Sequence, residues 1–333
     1  WWHHPAIGVR THMCDDRLWL VYTVCEYVAH TGDKAVLGEY EPFLCDIAIS
    51  PSDVSVYAPA EFSDEKATVL EHCLRALYVS MDFGENGLVR MRGGDWNDAM
   101  DKVGELGFGT SVWCSMFLYH VTERFLPLVK DIEICDKLRS VNKSLYEAIC
   151  SAYENDRFLR AFRDDGTPLG SESSSACKID ILTQSWSVIA GVGSARQRAV
   201  ALETAYSVLC DKEHKIIKLF SPPFESSEGV GYIGDYPLCV RENGGQYTQA
   251  SVWYVWALFA SGQIKRANEL LRWLSPADRC ATYEDVQKYC VEPYVSAADV
   301  YGGENAGKGG WTWYTGSASW LYKCLIEQYA GIK

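Results

Sequence analysis

Nine stretches of this chain repeat apolar residues at the i, i+3, i+4 spacing of an amphipathic helix: Leu18–Ala29, Ala67–Met81, Ser111–Phe125, Cys135–Ala152, Leu182–Ala190, Arg196–Cys210, Tyr247–Ala260, Ile264–Leu274 and Ser317–Tyr329. That period commits each segment to a helix buried by one face. Strand-like alternation is sparse and no composition break marks a linker, so residues 1–333 read as one all-α domain. The Gly/Pro/Asp/Asn-rich connections Phe83–Phe108, Asp164–Ala176, Ser221–Gly245 and Tyr301–Gly310 are too long for tight helical hairpins. An α/α toroid accommodates them. Inner helices line its centre, outer helices return, and the long loops gather at one end, where function concentrates.

Composition narrows the function classes. Acids outnumber bases 44 to 31, a formal charge of −13, with no basic stripe to neutralise phosphodiesters, so a nucleic-acid partner is excluded. The longest apolar run, Ala250–Ala260, is well short of the roughly 20 residues a membrane span requires, which excludes a membrane partner. The opening Trp1-Trp2-His3-His4-Pro5 has neither a basic nor an apolar leader region and reads as sequence from the middle of a longer protein. The 13 cysteines are odd in number and dispersed without a CxxC pair. They therefore read as small buried hydrophobes of a cytoplasmic protein, with no metal site.

Four loop clusters carry the chemistry. In Gly93-Gly94-Asp95-Trp96-Asn97-Asp98, two acids flank an indole after a glycine pair. Such acids can simply cap a helix. A carboxyl beside an indole is also desolvated, which lifts its pKa toward that of a general acid, while the indole face suits a sugar ring. The segment from Gly8 to Arg17 holds Arg10, Asp15 and Asp16 before an apolar helix; the segment from Arg241 to Gln249 is polar throughout; and the segment from Gly309 to Ser317 joins glycines and aromatics to hydroxyls at a helix start. Carboxylates and amides for hydroxyls, indoles for ring faces and backbone N–H groups for an anion form a carbohydrate inventory.

GVRTHMCDDRLWL, GGDWNDAMDKVG, DDGTPLGS, QSWSVIAG, GYIGDYPLCVRENGGQYTQ, VEPYVSAADVY and GGWTWYTGSASW occur in this order. Together they resemble glycoside hydrolase family 94, the inverting β-glycoside phosphorylases, and within it the phosphorylase domain of cyclic β-1,2-glucan synthases and the 1,2-β-oligoglucan phosphorylases. The resemblance implies an (α/α)6 barrel, preceded in the family by a β-sandwich domain that this sequence lacks, and often a homodimer. It implies Asp98 as the catalytic general acid, and Arg10, Asp16, Asp95, Trp96, Arg241 and Glu242 around the sugar. Gln249, Thr315 and Gly316 fall on its phosphate positions, inorganic phosphate being a co-substrate with no other cofactor. Two departures stand out: Gln249 replaces a phosphate-binding histidine, and His12 an arginine.

An inverting hydrolase needs a base for water as well as an acid, with carboxyls roughly 6.5–9.5 Å apart. A phosphorylase needs only the acid, because phosphate is already an anion. The expectation is therefore phosphorolysis of a β-glucoside, with β-1,2-gluco-oligosaccharide favoured, giving α-glucose 1-phosphate. The alternatives are a hydrolase or transglycosylase on the same barrel, or a non-catalytic carbohydrate-binding unit.

Overall fold

The computed structural model describes residues 2–3, 7–50, 53–313 and 315–332, with Trp2, His3 and Thr315 described by backbone alone. Ten helices carry the architecture: α1 Leu18–Thr31, α2 Val69–Ser80, α3 Val112–Phe125, α4 Ile132–Ser151, α5 Ile181–Ile189, α6 Ala195–Leu209, α7 Thr248–Ala260, α8 Ile264–Leu274, α9 Tyr283–Tyr289 and α10 Thr315–Cys324. A π-helical turn over Leu325–Tyr329 continues α10. Side-chain oxygens start many of them. Thr68, Ser111, Asp131 and Asp180 accept from the first free N–H groups of α2, α3, α4 and α5, and Ser194 with Gln197 closes a capping box on α6.

Helix composition sorts the helices into two layers. Val112 to Leu118 of α3 and Val252 to Val255 of α7 are buried without interruption, as befits helices surrounded by others. In α8, Ala267, Leu270, Leu271, Trp273 and Leu274 are buried while Lys265, Glu269 and Arg272 face solvent, the pattern of an outer helix. Accordingly α1, α3, α5, α7 and α10 pack in succession as an inner ring, and α2, α4, α6 and α8 back them from outside. Lys323 of α10 and Arg124 of α3 both pair with Glu26 of α1.

Each inner helix sends one indole inward: Trp19, Trp113, Trp186, Trp253 and Trp320. Their centroids lie 5.8 Å apart for Trp113 and Trp186, 5.3 Å for Trp186 and Trp253, 5.3 Å for Trp253 and Trp320, and 6.5 Å for Trp19 and Trp320. Such pairs each add about 0.5–1.5 kcal/mol beyond the area they bury. The ring therefore has a packed aromatic core.

Two features depart from the sequence reading. The helix α9, seven residues long and started by a Thr282–Asp285 capping box, is too short to show a period. Strands are more numerous than the sparse signals suggested, so small sheets accompany the expected helical fold. Ile7–Thr11 pairs antiparallel with Ser55–Pro59, and Tyr40–Leu44 with Phe62–Thr68, in an excursion between α1 and α2. Two-residue ladders such as Gln246–Tyr247 against Asp299–Val300 pin the long loops to one another. All 13 cysteines are free thiols. Among the described residues no helix is long and apolar enough to cross a membrane.

Candidate active site

The four motif loops lead into the N-terminal ends of inner helices, and hydrogen bonds bind them into one face. Cys14 N–H donates to Gly94 O at 3.0 Å, which fastens the first loop to the second. Gly94 has φ +123°, and a Cβ there would come within 2.9 Å of Met13 Sδ, so the turn requires glycine. The 3-10 turn Tyr232–Asp235 packs on the 3-10 turn Asp98–Met100, with Tyr232 N–H donating to Asp101 Oδ1 at 3.1 Å. Thr248 N–H donates to Ala298 O at 2.8 Å and Ala298 N–H to Trp311 O at 2.7 Å, joining the third loop to the fourth through Ala298.

Asp95 is corrected from sugar ligand to structural anchor. Its side chain is fully enclosed, and Arg160 grips both oxygens, Nη2 to Oδ1 at 2.6 Å and Nη1 to Oδ2 at 2.7 Å. Ser111 Oγ donates to Oδ2 at 2.6 Å and Asn97 N–H to Oδ1 at 3.0 Å. Asp180 takes the Arg160 Nε at 3.2 Å, so one buried cation holds two loop carboxylates. Trp96 is half-buried and meets Tyr247 edge-on at 5.3 Å and Trp253 at 5.2 Å, so part of its ring packs on the core. The exposed indoles of this face are Trp311 and Trp313.

Asp98 opens the 3-10 turn and reaches solvent. Partial burial lifts its carboxyl above the usual range, opposed by the Tyr232 hydroxyl that donates to it and by the Arg241 charge. Arg241, in the left-handed region at φ 52°, lies 4.1 Å over the Trp311 ring and 4.9 Å from that of Tyr236. Its Nε stands 3.3 Å from Glu242 Oε2. Burial raises the Glu242 carboxyl, which feels Arg241 as a lowering influence and Asp98 and Asp299 as raising ones. Asp299, also raised by burial, accepts from Trp311 N–H at 2.8 Å. Glu242 Oε2 and Asp299 Oδ2 are buried without a hydrogen-bond donor, leaving acceptors suited to sugar hydroxyls.

The Gln249 carboxamide, oriented by its neighbours, accepts from Trp96 Nε1 at 3.1 Å and Trp320 Nε1 at 3.2 Å. It also lies against Gly316, where a Cβ would come within 2.7 Å of it. Gln249 and Gly316 thus meet as expected; the Thr315 side chain lies outside the described residues. Arg10 and Asp16 stand on the first loop, Asp16 accepting from Thr11 Oγ1 at 2.6 Å and Arg10 reaching Asp46 at 3.7 Å. Arg10 lines a separate cavity.

Tyr232, Asp299 and Arg160 escaped the sequence reading. The first two lie in the quoted motifs GYIGDY and SAADVY, and only the packing of distant loops reveals their roles. Among the described residues, one trio has metal-ligand spacing, Glu26, His30 and Glu327. It sits at the far end of the inner helices, and Lys323 already neutralises both glutamates.

Residues 3–331 match the family model described as glycosyl hydrolase 94 superfamily, catalytic domain. The chain is 41% identical to the cyclic beta-(1,2)-glucan synthase NdvB of Rhizobium meliloti, covering 100% of this chain and 12% of that protein. It is 28% identical to a solabiose phosphorylase of Paenibacillus borealis, covering 95% of this chain and 40% of the relative. An N,N'-diacetylchitobiose phosphorylase of Vibrio furnissii is 24% identical over 98% of this chain and 39% of its own. The fold is shared with a glycosidase solved in complex with glucose, at TM-score 0.52 and 12% identity, over 93% of this chain and 61% of that one. A family 78 rhamnosidase of Bacillus sp. GL1 superposes at TM-score 0.54 and 16% identity, over 94% of this chain and 26% of its own.

Proposed function

The chain belongs to the catalytic-domain family of the glycosyl hydrolase 94 superfamily, and on that premise we propose that it is the catalytic unit of an inverting β-glucan phosphorylase. The observation that carries the reading is the placement of the Asp98 carboxyl, which accepts from the Tyr232 hydroxyl and feels the Arg241 charge where the turn at 98–100 packs on the turn at 232–235. A carboxyl whose pKa is raised is the better placed to act as the acid that delivers a proton to the departing glycosidic oxygen. Phosphate attacks the anomeric carbon from the opposite face, supported by the Gln249 amide and the start of α10 at Thr315 and Gly316. The product of a β-glucoside is α-glucose 1-phosphate. Glu242, Asp299 and Arg241 bind hydroxyls, and Arg10 and Asp16 belong to the sugar side. The glucan-synthase relative supports a β-1,2-gluco-oligosaccharide as substrate.

The finer architecture is the (α/α)6 barrel. Five inner helices belong to the described residues, and α1 and α10 keep Leu20, Tyr27 and Tyr322 exposed. In the full protein a β-sandwich domain and a second copy of the chain, in a homodimer, are the proposed neighbours of such faces.

The deciding experiment incubates the full-length protein with β-1,2-gluco-oligosaccharide and phosphate. Phosphate-dependent release of α-glucose 1-phosphate, lost in Asp98→Asn by a factor of roughly 10²–10⁴, is the expected result. A second reading, hydrolysis, is favoured by Glu242 and Asp299, two further carboxylates on the same face that could serve as a base. It requires free glucose released at a rate indifferent to phosphate.

A further inference from the structure

Away from the groups assigned to substrate and phosphate, α8, α9 and the hairpin of Cys210–Asp211 with Ile216–Ile217 enclose a cavity of about 720 Å³. Sites for small molecules usually measure roughly 300–1,000 Å³. Its lining includes Arg279, held in the 3-10 turn Asp278–Cys280. The Arg279 Nη2 donates to Lys215 O at 2.6 Å and to Gln246 Oε1 at 3.4 Å. Gln246 Oε1 also accepts from Ile217 N–H at 3.1 Å, so the hairpin and the strand before α7 fix the guanidinium from two sides.

Arg279 is half-buried and pairs with no carboxylate among the described residues. Burial disfavours its charge, and the titratable neighbours that favour it, Tyr289 and Cys280, are ordinarily neutral. Two of the lining acids are committed elsewhere: Asp278 holds Arg272 at 2.8 Å, and Asp285 accepts from Thr282 Oγ1 at 2.9 Å. Glu213 and Glu269 are exposed. A second cation, Lys288 of α9, is seated by Gly307 at φ +93°. A Cβ there would come within 2.5 Å of Lys288 Cε and 3.3 Å of its Nζ, so the lysine stem occupies room that only glycine leaves.

A guanidinium withdrawn from water without a counter-ion is costly, and a bound anion relieves that cost. Its Nε and Nη1 donate to no acceptor among the described residues, and such a planar pair of N–H groups matches two oxygens of a phosphate. The lining also holds acceptors. Asn268 Oδ1 on α8 is buried without a hydrogen-bond donor, and Glu269 stands next to it. These groups call for hydroxyls. We propose that this cavity binds a hexose monophosphate, with the phosphate on Arg279 and Lys288 and the sugar hydroxyls on Asn268 and Glu269. None of these residues takes part in the proposed phosphorolysis, so binding here is independent of it.

Titration calorimetry on the full-length protein at low ionic strength tests the site, with glucose 6-phosphate, inorganic phosphate and glucose as separate probes. Glucose 6-phosphate should bind more tightly than either of the others, and Gln249→Ala should leave its binding unchanged. Loss of a charge-assisted contact in Arg279→Gln should weaken it about tenfold or more, with Arg279→Lys recovering part. Lys288→Gln, a change at an exposed position that leaves the Arg279 hydrogen bonds in place, should weaken it as well, and added salt should do the same. Equal binding of inorganic phosphate, or of glucose, would overturn the assignment of a sugar phosphate. So would an absence of glucose 6-phosphate binding, parent-like binding by both Arg279→Gln and Lys288→Gln, or loss of binding in Gln249→Ala alone.

Discussion

Replacing Arg160 by methionine is the most informative perturbation of the scaffold. This side chain is wholly buried between Asp95 and Asp180 and makes three short contacts: 2.6 and 2.7 Å to the two Asp95 oxygens and 3.2 Å to Asp180. Methionine fills similar space but leaves both carboxylates without their cation. Each keeps some support, Asp95 from Ser111 Oγ and Asn97 N–H, Asp180 from Leu182 N–H at 2.7 Å. Removing one member of a buried ionic group costs about 3–5 kcal/mol. Urea unfolding followed by near-UV circular dichroism should show a loss of that size. At roughly 2–4 °C per kcal/mol for large domains, the melting midpoint should fall by about 10 °C. Because Asp95 also fixes Asn97 next to Asp98, turnover should fall as well. Adding Asp95→Asn removes one of the stranded charges, so the double variant should be more stable than Arg160→Met alone. A loss below about 1 kcal/mol, or strictly additive effects, would refute the claim that these carboxylates depend on Arg160.

Two further predictions concern protons. Tyr232→Phe removes a donor that lowers the Asp98 pKa, so the alkaline limb of the pH–rate profile should move to higher pH; a shift to lower pH would remove Tyr232 from contact with the acid. Asp15 is buried beside Asp16 and Asp95, and its carboxyl is pushed up to about 8 from 3.8, burial being the largest cause. The folded chain keeps that proton while the unfolded chain releases it near pH 4, so this group lowers stability progressively as pH rises from about 4 to about 8. Asp15→Asn, whose amide oxygen can still accept from Trp19 Nε1, should flatten the profile and raise the midpoint at pH 8; an unchanged slope between pH 4 and 8 would show that Asp15 ionises normally.

The helices were legible because α3, α4, α7 and α8 each carry a period long enough to survive without tertiary context. Helix α9 was not, since seven residues started by Thr282 make barely two turns. In the site, Asp98, Arg241, Glu242 and Gln249 stood in motifs dense enough to single out, and the structure gathers them on one face. Asp95 was misplaced for a physical reason: its partner Arg160 lies 65 residues away, and no local spacing distinguishes a carboxylate aimed at solvent from one aimed at a buried guanidinium. The surroundings of Trp96 were equally hidden from local spacing, being supplied by Tyr247 and Trp253. Tyr232 and Asp299 gain their meaning only once the turn at 232–235 sits on the turn at 98–100 and the strand at 299–300 on that at 246–247.

The five indoles of the inner ring have a consequence for traffic. Trp113, Trp186 and Trp253 are at most 1% exposed, so the space between the inner helices is filled by their own side chains. If the proposed β-glucan is the substrate, a chain end that enters from the loop face meets this packed core and leaves by the way it came. Widening the bore would be no simple route to a threading enzyme, because the residues that block the way are the ones that hold the helices together.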